Sequence, residues 1–468
     1  MLWERRAYNG DMSTQFKAVD RETLYLFPPS VQDWLPERHL ARFVVDVVSK
    51  LDLHELKMPY TGVGSEAFNP EMLLALLFYG YATGVFSSRK LEQASYDSIA
   101  FRYIAANTHP DHDTIANFRK RFLEQLKPLF LQILLLAKAL GCLQLGKISL
   151  DGTKIQANAS KHSALSWGHA SELEQQLKEE VTRLMAMAEA ADVEAPEGMD
   201  IPVELARREE RLKAIAEAKA KLEARAAERH AAEQAEYKAK KAKREAKAQG
   251  QPPKGPDPKT PELGVRDSDQ VNLTDEESRI MPASGKSFQQ AYNVQAGVET
   301  ESLLIITEHV TQNANDKQEV KPTLKALEEL AEPLGKAEAL LSDNGYYSED
   351  NIKACQREKI TPYIAAGRER HHLPLEQRWA NPPPLAAEAD AVEAMKHRLA
   401  TREGRALYGR RKCTVEPVFG IIKSVLGFRQ FRLRGLKAVS GEWTLVSIAW
   451  NLKRMFTLQQ QKLQAQGA

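Results

Sequence analysis

The sequence predicts a mixed α+β protein, in which an all-helical N-terminal region precedes a strand-bearing domain carrying a large helical-hairpin insertion. Three observations lead there. From about Pro36 to Gly141 apolar residues recur at helical spacing. At Lys147 the pattern changes to alternating, β-branched runs, which return at Ala291. Between them, from about Glu172 to Lys247, charged residues dominate around leucines at near-heptad spacing. At 468 residues and 43% hydrophobic content, the chain exceeds the size at which one core stops growing, so two or three domains are expected.

The helical region, residues 1–145, contains PEMLLALLFYGYATG from Pro70, with proline in its first turn and glycine near its end. Ser87 or Ser88 then caps a short polar helix. Asp113 reads as the cap of one long helix with the stripe Ile115, Phe118, Phe122, Leu126, Leu129 and Ile133. Arg119, Lys120 and Arg121 lie in its first turns. Short helices followed by a basic one suit a helix-turn-helix-like DNA module, or simply a helical packing domain.

The second domain is expected over residues 146–460. KISLDGTKI reads as a strand, and residues 165–262 as a charged antiparallel hairpin plus a Pro/Gly-rich linker from Gln249, inserted after that strand. AYNVQAGVE and SLLIITEHV form a strand hairpin. A helix follows from Asp316, which reads as its cap, to Leu334. ALLSD and ITPYIAA are strands, and helices resume from about Thr401, with Trp443 and Trp450 on a core-facing stripe. With the insertion set aside, an antiparallel start followed by parallel strands joined by helices is the element order of an RNase H-like domain.

Bulk properties exclude several classes. No apolar run approaches the roughly 20 residues that span a bilayer. Met1 to Gly10 lacks the apolar core of a secretion signal. Cys142, Cys355 and Cys413 are far apart and form neither a disulfide framework nor a ligand pattern, so a cytoplasmic location is expected. His109, His112, His371 and His372 lack zinc spacing. Lys+Arg 65 against Asp+Glu 63 leaves a net charge of only +2, so any DNA contact must come from local clusters. Such clusters occur at Arg119–Arg121, Arg410–Lys412 and Arg429–Lys437.

Three acids stand out. Asp151 and Asp343 each end a strand, and ligand sites gather at the carboxyl ends of strands in sheets of this kind. Glu416 opens a helix. Singly, each reads as an ordinary turn or helix-start residue. Together they supply hard oxygen donors for two Mg²⁺ ions, with Mn²⁺ as a substitute. Two such ions about 3.5–4 Å apart can activate an attacking oxygen and stabilise a leaving one in phosphodiester chemistry.

DGTKIQANASKH from Asp151, LSDNGYYSEDNI from Leu341 and VEPVFGIIKSVLGFRQFRLRGLKAVSGEWTLVSIAWNLKR from Val415 resemble the catalytic blocks of insertion-sequence DDE transposases, in particular the group numbered eleven-eighty-two. NLTDEESRIMP, AYNVQAGVE and NANDKQEVKP resemble intervening blocks. Residues from about Val31 to Phe122 resemble the helical N-terminal domain of the same proteins. The resemblance implies catalytic, metal-binding acids at Asp151, Asp343 and Glu416. It also implies DNA contacts from Tyr408, Arg411 and Lys423; the gap from Arg411 to Glu416 is one residue longer than in the wider pattern, which leaves Arg411's role open. Arg119, Arg121, Arg432 and Arg434 are the further DNA-binding candidates, taken from the basic clusters.

The expected protein is therefore a transposase that cleaves at the ends of its element and joins them to target DNA. Its expected partners are double-stranded DNA at terminal inverted repeats and target sites, and a second copy of itself. Its expected place is the prokaryotic cytoplasm, nucleoid-associated when bound. The same acids would serve an RNase H-like nuclease without strand transfer. A catalytically silent DNA-binding scaffold is the other alternative.

Overall fold

The computed structural model describes residues 30–60, 67–189, 200–248, 257–283, 287–367, 380–386 and 388–466. The helical region contains α1 (Val31–Trp34), α2 (Leu40–Val48), α3 (His54–Lys57), α4 (Pro70–Thr83), α5 (Ser88–Asp97), α6 (Ile99–Ile104), α7 (His112–Arg121) and α8 (Leu126–Ala139). In α4 the local signals act as expected. Asn69 caps Glu71 N–H, Pro70 opens the helix where its missing donor costs nothing, and Gly84 closes it at φ +84°. The long helix expected after Asp113 is instead two. Asp111, not Asp113, caps α7 by accepting from Thr114 N–H. Pro128 disfavours helical backbone at the residue before it and lacks a donor, so the chain breaks at Phe122–Gln125 and restarts with Pro128 in the first turn of α8.

The strands are β1 (Lys147–Gln156), β2 (Ala164–Ser166), β3 (Gln270–Asn272), β4 (Arg279–Pro282), β5 (Phe288–Glu299), β6 (Ile305–Thr311), β7 (Ala339–Ser342) and β8 (Thr361–Ile364). The main sheet runs β4-β5-β1-β7-β8, with β6 also on β5. β1 pairs antiparallel with β5 and parallel with β7, and β7 pairs parallel with β8. An antiparallel start and a parallel finish are consistent with an RNase H-like fold.

Between β2 and β3 stand α9 (Trp167–Glu189) and α10 (Ile201–Ala248). Ion pairs Arg208–Glu180 and Lys219–Glu174 set them antiparallel. They share a separate small core of Leu165, Leu177, Ile215, Leu222 and Val271 with β2 and β3. The turn expected at APEGMDIP and the first part of the linker lie outside the described residues.

Past β5 and β6 come α11 (Val320–Glu329), α12 (Ala331–Leu334), α13 (Glu349–Arg357), α14 (Ala391–Ala400), α15 (Arg402–Gly409), α16 (Val415–Gly420) and α17 (Leu436–Gln466). Helix α17 packs on α4, α8 and β6. Its residues from Gly441 to Leu452 are buried, with Trp443 and Trp450 in the core as expected. α4 is likewise buried on all sides, and a helix that is apolar all round belongs inside a core. One continuous core runs from Leu35 through α4, α8 and the sheet to Met455. The boundary at residue 145 thus separates helices from strands, and the core crosses it.

Candidate active site

Asp151 does not end its strand as expected: β1 keeps pairing with β5 through Gln156, so Asp151 lies within it, opposite Ala296, while β7 delivers Asp343 one residue beyond its end. The parallel β1/β7 pairing, Ser149 beside Leu341, puts the two aspartates at the same edge of the sheet. Each is partly fixed by a nearby glycine: Gly152 N–H, in the strand, donates to Asp151 Oδ1 at 2.8 Å, and Gly345 N–H, in the turn after β7, to Asp343 Oδ1 at 2.8 Å. Glu416 is in the first turn of α16, with its carboxylate partly exposed.

Arg411 joins the acids. Its Nη1 lies 3.2 Å from Asp151 Oδ2 and its Nη2 3.0 Å from Glu416 Oε1. Arg411 lies in a 3₁₀ turn over Arg410–Cys413, and Thr414, at φ −114° and ψ −90°, leads from it into the helix of Glu416. Burial, first, and then the neighbouring charges of Asp343 and Asp316 push Asp151 up to about 6, against the opposing pull of Gly152 N–H and Arg411.

Lys423 sits on a π-helical turn, Ile421–Val425, a local widening often found at functional sites. Its Nζ donates to Thr153 Oγ1 at 3.0 Å and to the Lys154 carbonyl at 3.3 Å, so it lies along β1 two residues beyond Asp151. Burial, then the charges of Arg429 and Lys154, lower its pKa. Tyr408 packs partly buried against the core and interacts electrostatically with Arg411. Arg432 and Arg434 are exposed on the loop before α17.

Arg119 and Arg121 part company. Arg121 is exposed, its guanidinium 5.6 Å from the centre of the Tyr60 ring. Arg119 is 8% exposed and donates through Nη1 to Tyr81 Oη and the Phe86 carbonyl, both at 3.0 Å. The expectation that Arg119 meets DNA is therefore corrected: it is on the apolar side of α7, where its charge is used inside the protein. Asp316 is a second correction. It does not cap a helix, since α11 begins at Val320; instead it joins the polar network around Gly152. Its position in NANDKQ carried no helix-independent signal in the sequence. His371 and His372 lie outside the described residues.

The donor set fits a divalent cation. Among the described residues no three His, Cys, Asp or Glu groups form a ready-made cage. Mg²⁺, however, is commonly held by one or two carboxylates plus waters and substrate phosphates. Asp151 and Asp343 are hard oxygen donors, the charge of Asp343 disfavours ionisation of Asp151, and a divalent cation held by both would offset that. Because the carboxylate must be ionised to bind, Mn²⁺ affinity is expected to fall about tenfold between pH 7.5 and pH 5. An Mn²⁺ titration at the two pH values checks this; an ordinary aspartate would lose almost nothing over that range.

Two family models match the chain. One, described as Transposase DDE domain, matches residues 258–452. The other, described as Transposase domain (DUF772), matches residues 29–121. The first spans Asp316, Asp343, Arg411, Glu416 and Lys423 but begins beyond Asp151, and the second ends at Arg121. No curated protein and no solved structure matches the chain.

Proposed function

Because this chain belongs to the insertion-sequence DDE transposases, enzymes that use divalent metal ions to cleave and transfer DNA, we propose that Asp151, Asp343 and Glu416 are its catalytic, metal-binding acids. One observation carries this reading: a single guanidinium, Arg411, touches both Asp151 and Glu416, while Asp343 ends the strand beside Asp151. Asp151 and Asp343 thus stand at one sheet edge, and Glu416 is linked to Asp151 through Arg411.

Two Mg²⁺ ions, replaceable by Mn²⁺, would supply activation of the attacking oxygen and stabilisation of the leaving one. The protein's own groups hold the DNA. Lys423, aimed along β1, meets a phosphate next to the scissile one, and Arg411 shares its charge between the acids and the backbone. Tyr408 supports Arg411. Arg432 and Arg434, with Arg121 on the other flank, track phosphates farther out. Hydrolysis at an element end breaks one P–O bond and frees a 3′-hydroxyl. That hydroxyl then attacks a target phosphodiester, exchanging one P–O bond for another, so no covalent protein–DNA link is needed.

The N-terminal helices would recognise the terminal inverted repeats, and α9–α10, read as an insertion in an RNase H-like domain, would serve pairing of two copies on two ends. The eleven-eighty-two group and work in a prokaryotic cytoplasm complete the proposal. No helix among the described residues is long and apolar enough to cross a membrane.

Labelled element ends, target plasmid and Mg²⁺ test the assignment. Glu416→Gln is expected to lose both cut and joined products by at least about a hundredfold while its gel-shift affinity for element ends stays within about twofold. Joined product at the wild-type level would remove Glu416 from the triad.

A further inference from the structure

Asp316 lies in the turn before α11. Its Oδ1 takes Asn293 Nδ2 at 2.7 Å, Gln295 Nε2 at 2.7 Å and Lys154 Nζ at 3.4 Å. These donors share one face of the β1/β5 ladder, where Gly152 stands opposite Gln295 and Lys154 opposite Asn293. Asp151 and Thr153 alternate to the other face. Asp316 therefore sits behind the strand from Asp151.

Its approach depends on glycine. A Cβ on Gly152 would lie 2.1 Å from Gln295 Nε2 and 2.6 Å from Asp316 Oδ1, closer than real Cβ contacts come. On the other flank, a Cβ on Gly345 would lie 3.8 Å from Asp316 Oδ2 and 3.0 Å from Asp343 Oδ1. Tyr346, in the same turn as Asp343, donates its hydroxyl to Gln295 Oε1. The carboxylate is thus wedged between the residue after Asp151 and the turn that carries Asp343. A neutral acceptor would bond both amides without adding a third negative charge beside Asp151 and Asp343. Lys154, whose Nζ lies 3.4 Å from Oδ1, balances part of that charge from the same face.

We propose that Asp316 is a positioning residue of the catalytic centre. With Asn293 and Gln295 it forms a buttress behind Gly152 that sets the separation of Asp151 and Asp343, and with it their grip on a divalent cation. The proposal rests on the reading that those two aspartates hold the cation. Groups that orient metal ligands from outside typically contribute 10- to 100-fold in affinity, roughly the range expected here.

The test uses the full chain, with Mn²⁺ binding followed by the electron paramagnetic resonance of the free ion and thermal melts on the same samples. Asp316→Ala is expected to weaken Mn²⁺ binding by at least about tenfold. Asp316→Asn, which keeps the acceptor for Asn293 and Gln295, is expected to lose clearly less. Gly152→Ala, which forces Gln295 and Asp316 aside, is expected to reproduce the alanine loss with Asp316 intact. Equal losses for Asp316→Asn and Asp316→Ala would make Asp316 a direct ligand and overturn the positioning role. A lower melting temperature with unchanged Mn²⁺ affinity would make it merely structural and also overturn it. Should Asp151→Asn bind Mn²⁺ like wild type, the metal-site reading falls and takes this inference with it. Should Asp151→Asn lose Mn²⁺ while Asp316→Ala does not, only this inference falls.

Discussion

Asp151→Asn is expected to lower end cleavage and strand transfer by at least about a thousandfold, equivalent to about 4 kcal/mol of transition-state stabilisation, while making the cation-free protein more stable. The two effects have one origin. Asp151 is held among Asp343, Asp316 and a largely buried sheet edge, and its pKa rises to about 6 from an ordinary 3.8. A carboxyl raised on folding binds its proton more tightly in the native state. Its stabilising contribution is complete below about pH 4 and is lost as the pH rises to about 6. Above pH 6 the cation-free protein carries the whole penalty, on the order of 2–3 kcal/mol. Asparagine keeps the shape and the acceptor for Gly152 N–H, removes the charge, and so removes the penalty. Denaturant unfolding of both proteins in chelator at pH 7.5 measures it: the midpoint should rise for Asp151→Asn, and the gap should close at pH 4. A lower midpoint at pH 7.5 would mean that the Arg411 ion pair outweighs desolvation and repulsion.

Glu442→Ala is expected to cost about 3–5 kcal/mol of stability, the range for removing one partner of a buried charge pair. Glu442 is fully buried in α17. Its Oε1 accepts from Tyr81 Oη at 2.9 Å, and its Oε2 accepts from the N–H groups of Arg432 and Leu433 at 2.9 and 3.0 Å. Arg119, bonded to the same Tyr81 hydroxyl, supplies the opposing charge. Alanine would leave that guanidinium without its counter-charge and orphan two loop donors. Tyr81→Phe removes only one hydroxyl and should cost about 1–2 kcal/mol. The network also ties α4 and α7 to the loop that carries Arg432 and Arg434. Glu442→Ala should therefore weaken DNA binding at temperatures where the protein is still folded. A gel shift at 10 °C beside the unfolding curve separates the two, and unchanged DNA affinity would make the network a matter of stability alone.

This network marks where sequence reasoning reached its limit. Arg119, Lys120 and Arg121 read as one basic cluster, yet the first is inside and Arg121 outside. Successive residues of a helix point about 100° apart, and only the packing of α7 on α4 decides which of them faces α17. Glu442 sat between Gly441 and Trp443 with no local sign that it would meet Tyr81, far away in the chain. Asp316 was misread for a related reason. Its position before a helical stripe matched a cap, but its actual partners come from β1 and β5, and strand register is set by the whole sheet.

What the sequence by itself determined is the local and the chemical. Strand and helix positions around β5–β8, α4 and α17 follow from periodicity and punctuation, because those signals act over a few residues. The three acids proposed as the catalytic centre, with Arg411 and Lys423, stand in motif blocks that resemble a known family. Only the tertiary structure decided how far Arg411 reaches, where the expected long helix breaks, and that one core spans the helical region and the sheet. It alone decided which charges are buried. Each of these depends on contacts between distant segments, whose free energy is set by mutual burial and geometry that no short stretch of chain contains.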